Sequence, residues 1–386
     1  MFYDLIEVLL LVCIGLVAYH YLLYPALIIG LARLRPATGR PPAASFAPRI
    51  TLVIAAYNEE HVIAAKLRNT LALDYPSDRL EVIVVSDGST DRTPEIASQF
   101  AAQGVISMHQ PERRGKTAAL NRAVGRASGE IIVFSDANND FSPNALRELV
   151  KHFADLSVGG VCGVKRIKPS SERQASMGDS LYWKYESAIK LAEGRLRSIT
   201  NADGEIFAMR RSLYRRVDEK IINDDAQLTI DIVRHGYRVI YEPAAQSHEY
   251  ASISIGDDFF VKVRMVAGGF QTVKENWRFL LLPRSWFAFT FLSHKLLRWL
   301  IPELLIAILL LSVSLSAQSV YLALVLAQML FYGTALYAYA VVRNGGAIPT
   351  IVYVPFYFCA MNLAALSGLH RYVSGWQTQN WRKAER

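Results

Sequence analysis

The sequence predicts an α/β protein in which a mostly parallel sheet, covered by helices, is joined to an α-helical membrane region. Three observations carry that prediction. From Arg49 onward, short runs of branched apolar residues alternate with helix-length segments, the order expected of βαβ units. Two of these runs, Glu81–Asp91 (EVIVVSDGSTD) and Gly129–Asp140 (GEIIVFSDANND), end in acidic and small polar residues, as buried parallel strands do where their carboxyl ends open on a ligand site. Both ends of the chain hold long apolar stretches, and 52% of the 386 residues are hydrophobic.

Composition narrows the function classes. The three cysteines, Cys13, Cys162 and Cys359, are scattered without ligand spacing or pairing, which argues against a disulfide framework or structural zinc. The net charge of +8 gathers beside apolar segments rather than in a helix-turn-helix, zinc finger or RNA-binding signature, so no nucleic acid partner is expected and membrane lipids are.

In chain order, residues 1–34 read as one transmembrane helix, with Glu7 near its start and Pro25 inside it. A signal peptide is the rival. Arg33, Arg35 and Arg40 follow the apolar run and no small-residue cleavage site appears, which favours an uncleaved helix ending in the cytoplasm. Pro36, Pro41 and Pro42 mark a linker over residues 35–48. A soluble domain then covers residues 49–275. It opens with the strand ITLVIAAYNEE and a helix from Glu59 to about Leu71, whose glutamates suit a helix N-terminus. EVIVVSDGSTD, a helix from about Pro94 to Gln103, a strand near Val105–Met108, the basic segment ERRGKTAALNRAVGRA and GEIIVFSDANND complete the series. A dinucleotide-binding fold needs a Gly-x-Gly-x-x-Gly turn after its first strand, and AAYNEE has no glycine. The Walker loop is missing too, because Gly115-Lys116-Thr117 lacks the earlier glycine. The two acidic tips, with Asp87 and Asp91 on one and Asp136, Asn138 and Asp140 on the other, offer oxygens of the kind that hold a divalent cation beside phosphates.

Six motifs in order, TLVIAAYNEE, VVSDGSTD, GKTAALN, FSDAN, NDDAQL and GYRVIYEP, resemble those of inverting glycosyltransferase family 2, over Thr51 to Gln271. The nearest likeness is to its membrane-embedded members, the hyaluronan, cellulose and chitooligosaccharide synthases. The resemblance implies a GT-A-type nucleotide-sugar domain, a UDP-sugar donor ahead of a GDP-sugar, and a Mg²⁺ or Mn²⁺ ion. It places Ala56, Tyr57, Glu59, Asp87, Lys116, Asp136 and Arg264 at the nucleotide, with Asp87 meeting the base and Lys116 the diphosphate. Asp87 and Asp91 also suit turn or helix caps. The family's Asp-x-Asp reads Asp136-Ala137-Asn138 here, so one ligand carries no charge, and Asp140 or His248 are offered as further donors.

Asp203 and Gly204, after the aromatic helix Tyr182–Glu193, stand where the family builds its acceptor site; a plain turn is the alternative. Asp225 aligns with the family's general base, with Asp224 next in line, and the pair also suits the N-terminus of the helix that ends before Gly236. The family's Gln-x-x-Arg-Trp corresponds to Val261–Met265: Arg264 remains, Lys262 lies beside it, and the glutamine and the sugar-stacking tryptophan are gone.

Residues 276–295 read as an interfacial helix region, with Trp286 and Trp299 in an aromatic belt, and about three spans follow over 296–370. With the first helix that makes four. The basic tail 371–386 would then lie outside, against the positive-inside rule, unless one segment is amphipathic or re-entrant. The expected acceptor is a growing extracellular polysaccharide or its lipid-linked intermediate, with single transfer to a polyprenyl-phosphate or other lipid as the alternative. A silent membrane scaffold or a transporter are the rivals from other classes; among the later spans only Glu303 is a mid-membrane acid.

Overall fold

The computed structural model describes residues 2–35, 46–168, 175–250, 255–280 and 285–375, so most of the expected linker and the end of the basic tail lie outside it. Among the described residues eight strands form one sheet, ordered β3-β2-β1-β4-β7-β6-β8-β5. They are β1 (Ile50–Ala56), β2 (Leu80–Asp87), β3 (Val105–Gln110), β4 (Ile131–Asp136), β5 (Asp140–Phe141), β6 (Val158–Lys168), β7 (Ile206–Arg210) and β8 (Arg238–Tyr250). The half containing β1 to β4 is parallel throughout. β7 runs antiparallel to both β4 and β6, β6 and β8 are parallel, and β5 pairs antiparallel with β8. The fold class expected from the alternating runs is the one observed.

The helices, in chain order, are α1 (Tyr3–Leu34), α2 (Ile63–Leu71), α3 (Thr93–Ser98), α4 (Lys116–Arg126), α5 (Ala145–Val150), α6 (Ala175–Leu196), α7 (Asp224–Arg234), α8 (Ile255–Glu275), α9 (Trp286–Ser314), α10 (Ser319–Arg343) and α11 (Thr350–Val373). Both faces of the sheet are covered, which explains why β1 is apolar without alternation: all seven of its residues are buried. Leu52, Ile54, Val84 and Val133 pack against Leu67 of α2, Ala97 of α3 and Leu146 of α5. Val53, Val85, Ile132 and Phe134 pack on the other side against Leu120 of α4 and Leu228 and Ile232 of α7. The in-register pairs Ala56–Ser86 and Ala55–Asp136 bring the tips of β1, β2 and β4 to one edge, and that edge carries the site.

Several boundaries differ from expectation for visible reasons. The helix after β1 starts at Ile63, not Glu59, because the amides of Glu59 and Glu60 are taken by Thr93 Oγ1 (2.7 Å) and Asp91 Oδ2 (3.0 Å) at the β2 tip. Asp91 therefore acts as a cap: its other oxygen accepts the Thr93 amide at 3.0 Å. The following helix ends at Ser98, and Ala101–Gln103 makes a separate turn that closes on Gly104 at φ 86°. Gly88, at φ 68°, turns where a Cβ would stand 2.7 Å from that of Arg113, so only glycine lets the loop before α4 close on the β2 tip.

Among the described residues four helices are long and apolar enough to cross a membrane: α1, α9, α10 and α11. The second half of the region read as interfacial belongs instead to α9, which passes through a π turn at Leu292–Leu296 without a break. The basic side chains near its start are paired within the protein. Lys295 Nζ and Arg298 Nη1 donate to Glu186 of α6 at 2.5 and 2.9 Å, and His294 lies between Glu186 and Glu193 at 3.2 and 2.8 Å. Tyr24 of α1 donates to the same Glu193 at 2.6 Å, so a buried polar cluster ties the sheet domain to two apolar helices. α11 lies alongside α8: a Cβ on Gly368 would stand 2.8 Å from the Val263 carbonyl oxygen, and Tyr372 stacks on Phe270 with centroids 5.9 Å apart.

Candidate active site

At the edge formed by the strand tips lies a cavity of about 240 Å³. Eight residues singled out in the sequence line it: Lys116, Asp136, Asp203, Gly204, Asp224, Asp225, Lys262 and Arg264. They come from the start of α4, the end of β4, the loop before β7, the start of α7 and the middle of α8. These are separate stretches of chain that meet only because the sheet brings its tips together.

Asp136 ends β4 and receives the Lys116 ammonium at 2.5 Å. What fixes the Asp136 loop is its neighbour Asn139. Its amide oxygen accepts from Lys66 (2.6 Å) and Ser135 (2.9 Å), and its amide nitrogen donates to the Glu205 carbonyl and Ser247, both at 2.9 Å. Lys66 is wholly buried there, and burial pulls its ammonium down to about 7 against the nearby acids. Burial opposes the charge on Lys116 too, but Asp136, then Asp224 and Asp225, outweigh it and raise its pKa above the usual lysine value.

The Asp224–Asp225 pair opens α7. Asp225 accepts the Gly204 amide at 3.2 Å on one oxygen and its neighbour's Ala226 amide at 2.7 Å on the other. Its own surface is half-open to the cavity while its surroundings are protein, and burial, followed by the like charge of Asp224, pushes its carboxyl up to about 7 despite Lys116. Asp224 is raised as well, first by burial. The guanidinium of Arg264 completes this group from α8; burial, its largest influence, lowers its pKa, opposed by Asp224, Asp225 and Asp136. Asp203 is held by Lys190 of α6, whose ammonium bonds both carboxylate oxygens at 2.8 Å.

Other residues singled out in the sequence lie outside the cavity lining. Asp87 is buried, and its carboxylate accepts the Arg114 and Gly115 amides at 3.2 and 2.7 Å, with Arg122 at 3.6 Å. It holds the loop that presents Lys116. Tyr57 lies under the Arg113 guanidinium at 3.7 Å, Ala56 is buried at the end of β1, and the Glu59 amide is bonded to Thr93. Asn138 is half-buried. His248 faces Asp140 across the β5–β8 pair, where burial, Lys168 and Arg166 lower its pKa, surroundings that repel a cation.

Among the described residues no group of three or more histidine, cysteine, aspartate or glutamate side chains is gathered to hold a metal ion. The donor set fits a cation that arrives with its ligand: Mg²⁺ is commonly held by one or two carboxylates plus substrate phosphates, and the Asp136 side chain is 36% exposed to the cavity.

Residues that sequence reasoning missed include Lys190, Lys165, Glu205, Glu249 and Trp183, all in or beside the cavity. Lys165 pairs with Glu205 and Glu249, and the Trp183 ring has Lys165 and Lys262 each 5.8 Å from its centroid. One signal was available: Trp183, Glu186, Lys190 and Glu193 recur at helical spacing on α6, a polar stripe that turns inward rather than to solvent.

Residues 51–218 match the family model for glycosyl transferase family 2. The β-monoglucosyldiacylglycerol synthase of Synechocystis sp. is 28% identical over 282 residues, 68% of this chain and 57% of that protein. The poly-β-1,6-N-acetyl-D-glucosamine synthase of Staphylococcus aureus is 27% identical over 232 residues, 59% of this chain and 56% of that protein. The chain thus spans little more than half the length of the curated relatives it matches. Among solved structures, the mannosyltransferase PcManGT from Pyrobaculum calidifontis, in complex with GDP-Man and Mn²⁺, is similar with a TM-score of 0.74 at 25% identity, over 96% of this chain and all of that one.

Proposed function

We propose that the glycosyl transferase family 2 domain of this chain transfers a sugar, with inversion, from a nucleotide diphosphate sugar to an acceptor delivered at the membrane. The observation that carries this reading is the meeting of Asp225 with Lys116, Asp136 and Arg264 in one cavity. A carboxylate poised near neutral pH takes the proton of the acceptor hydroxyl as its oxygen bonds to the anomeric carbon. On the opposite face the bond from that carbon to the diphosphate oxygen breaks, and the nucleoside diphosphate leaves. Lys116 and Arg264 face the negative charge that develops there. Asp136 is the residue that would hold a divalent cation, which would add further neutralisation of the diphosphate; the Mn²⁺ in the Pyrobaculum calidifontis mannosyltransferase structure supports this. Lys190 and Gly204 act on position, one fixing Asp203 and the other Asp225.

The donor we favour is a UDP-sugar, since the Asp87 carboxylate has lone pairs beyond those taken by the Arg114 and Gly115 amides, and a uracil imide can donate to one of them. The GDP-mannose complex keeps a GDP-sugar as the second reading. The product is a membrane-associated polysaccharide or glycolipid, in line with the names of the two bacterial relatives.

The catalytic cavity faces the cytoplasm in this reading, where basic residues such as Arg33, Arg35 and Arg298 gather. We take α1, α9 and α10 as the spans. α11 follows α8, a helix carrying Asp257, Asp258, Lys262 and Arg264, and Tyr357 near its start already lines the catalytic cavity, while Tyr372 at its end still touches α8. A helix beside so polar a partner lies in the interface, which returns the basic tail to the cytoplasmic side. The test is purified full-length protein in nanodiscs, screened for nucleotide release against UDP- and GDP-sugars with Mn²⁺.

A further inference from the structure

Glu193 of α6 is wholly buried, and its two carboxylate oxygens face different parts of the chain. On one side, Oε1 accepts from the Tyr24 hydroxyl of α1 at 2.6 Å and stands 2.8 Å from Nδ1 of His294 in α9. On the other, Oε2 accepts both the amide and the hydroxyl of Thr200 at 3.2 Å. Thr200 is itself buried and opens the loop 200–204, which carries Asp203 and Gly204. From there the contacts lead to Asp225. The Ala202 amide donates to Thr229 Oγ1 at 3.2 Å, and that hydroxyl donates to the Asp225 carbonyl at 2.8 Å. The Gly204 amide donates to the Asp225 carboxylate at 3.2 Å. Lys190, one turn before Glu193, bonds Asp203, so α6 grips the loop at both ends.

We propose that Glu193 is a positioning residue: from the side of the apolar helices it sets the loop 200–204, and through that loop the Asp225 carboxylate. The inference rests on the transferase reading, whose base it places. Glu193, Thr200, Tyr24 and His294 lie outside the lining of the catalytic cavity, so their influence passes through neighbours. Three donors converge on this one side chain, the Tyr24 hydroxyl and the amide and hydroxyl of Thr200. An ionised carboxylate suits them, because it offers about four lone-pair sites and no donor of its own. An apolar residue would leave the donors buried and unpaired, and the loop or the helices would shift to satisfy them. A misplacement of about 1 Å in a reacting group costs on the order of 10² in rate. Glu186, two turns earlier on α6, pairs with Lys295 and Arg298, which keeps α9 against the same face. Turnover then depends on how α1 and α9 pack, at a point where no reacting group is touched.

The test uses full-length protein in nanodiscs with three substitutions outside the cavity. Tyr24→Phe removes the donor on α1, Thr200→Val removes the hydroxyl on the loop, and Thr200→Ser keeps it. Nucleotide release from the donor sugar gives kcat and KM, titration with the matching UDP or GDP counts the folded sites, and amide hydrogen exchange follows the peptide 199–206. We expect Tyr24→Phe and Thr200→Val each to lower kcat per site by about fivefold or more, with donor KM and nucleotide binding within about twofold of wild type. The double variant should lose less than the product of the two, because both act through one carboxylate. Thr200→Ser should stay near wild type. Exchange over 199–206 should speed up in Tyr24→Phe, although Tyr24 belongs to another helix. An unchanged kcat per site in both variants, exchange over 199–206 indifferent to Tyr24→Phe, or a loss shared equally by nucleotide binding would overturn the proposal. The two readings fail separately. Wild-type turnover that these substitutions leave untouched sinks only this one. Absence of turnover with any UDP- or GDP-sugar sinks the transferase reading, and the exchange measurement still decides whether Glu193 holds the loop.

Discussion

Lys116 donates to Asp136 at 2.5 Å within the cavity at the strand tips, so the residue read as a diphosphate ligand and the one read as a metal ligand hold each other. In the transferase reading, a nucleotide sugar entering with its cation would divide this pair, giving the phosphates to the ammonium and the cation to the carboxylate. Lys116→Met should therefore raise KM for the donor by about tenfold or more, the worth of a charge-assisted hydrogen bond, with a smaller effect on kcat. Asp136→Asn should remove metal-dependent turnover. Steady-state kinetics over a Mn²⁺ titration reads both.

The pH profile follows from the raised Asp225 carboxyl. Its proton-accepting form exists above about 7, so kcat/KM should fall as pH drops through that value, tenfold per unit well below it. Asp224 is the largest like-charge influence on Asp225. Asp224→Asn removes it, stabilises the ionised base, and should move the acid limb to lower pH. A limb that stays in place or moves upward would show that the two carboxylates do not titrate as neighbours.

Asn138 is the point at which this chain leaves the Asp-x-Asp pattern. The structure brings Asp136, and not Asn138, into the cavity lining, and Asn139 is the side chain that fixes their loop. Asn138→Asp should then leave the Mn²⁺ and Mg²⁺ activation curves unchanged. A tighter apparent metal affinity in that variant would make residue 138 a ligand.

How much of this was legible beforehand depended on whether the signal was local. The apolar runs of β1, β2 and β4, each closing on a polar tip, identify the parallel half of the sheet on their own, and Asp225 stands out as the second of two acids opening a helix. β6 was not read as a strand: VGGVCGVKRIK mixes glycines with charge, and only pairing with β7 and β8 makes it one. Lys190 and Lys165 carry no local signal, because nothing in their neighbourhood names Asp203 or Glu205, which lie 13 and 40 residues away. Asp87 reads as a ligand group, yet its oxygens are occupied by a loop 27 residues further on. A second cavity, lined among others by Tyr21, Ala226, Met265, Trp299 and Asn362, takes walls from α1, α7, α8, α9 and α11, and no local pattern in the sequence announces it.

Topology separates three spans from four. Single cysteines at Gln103 and Ser374, in an otherwise cysteine-free chain, should both resist an impermeant maleimide in intact cells and react after permeabilisation. Labelling of Ser374→Cys in intact cells would make α11 a span. Labelling at Gln103 would invert the whole arrangement.

The most direct test of the transferase reading is Asp225→Asn, compared with wild type in nanodiscs for nucleotide release and for nucleotide-sugar binding. The amide fills the same space but cannot accept the proton, so turnover should fall by about 10² to 10⁴, the usual worth of a positioned base, while donor affinity stays within a few-fold. Turnover within a few-fold of wild type would contradict the account and move the base away from Asp225.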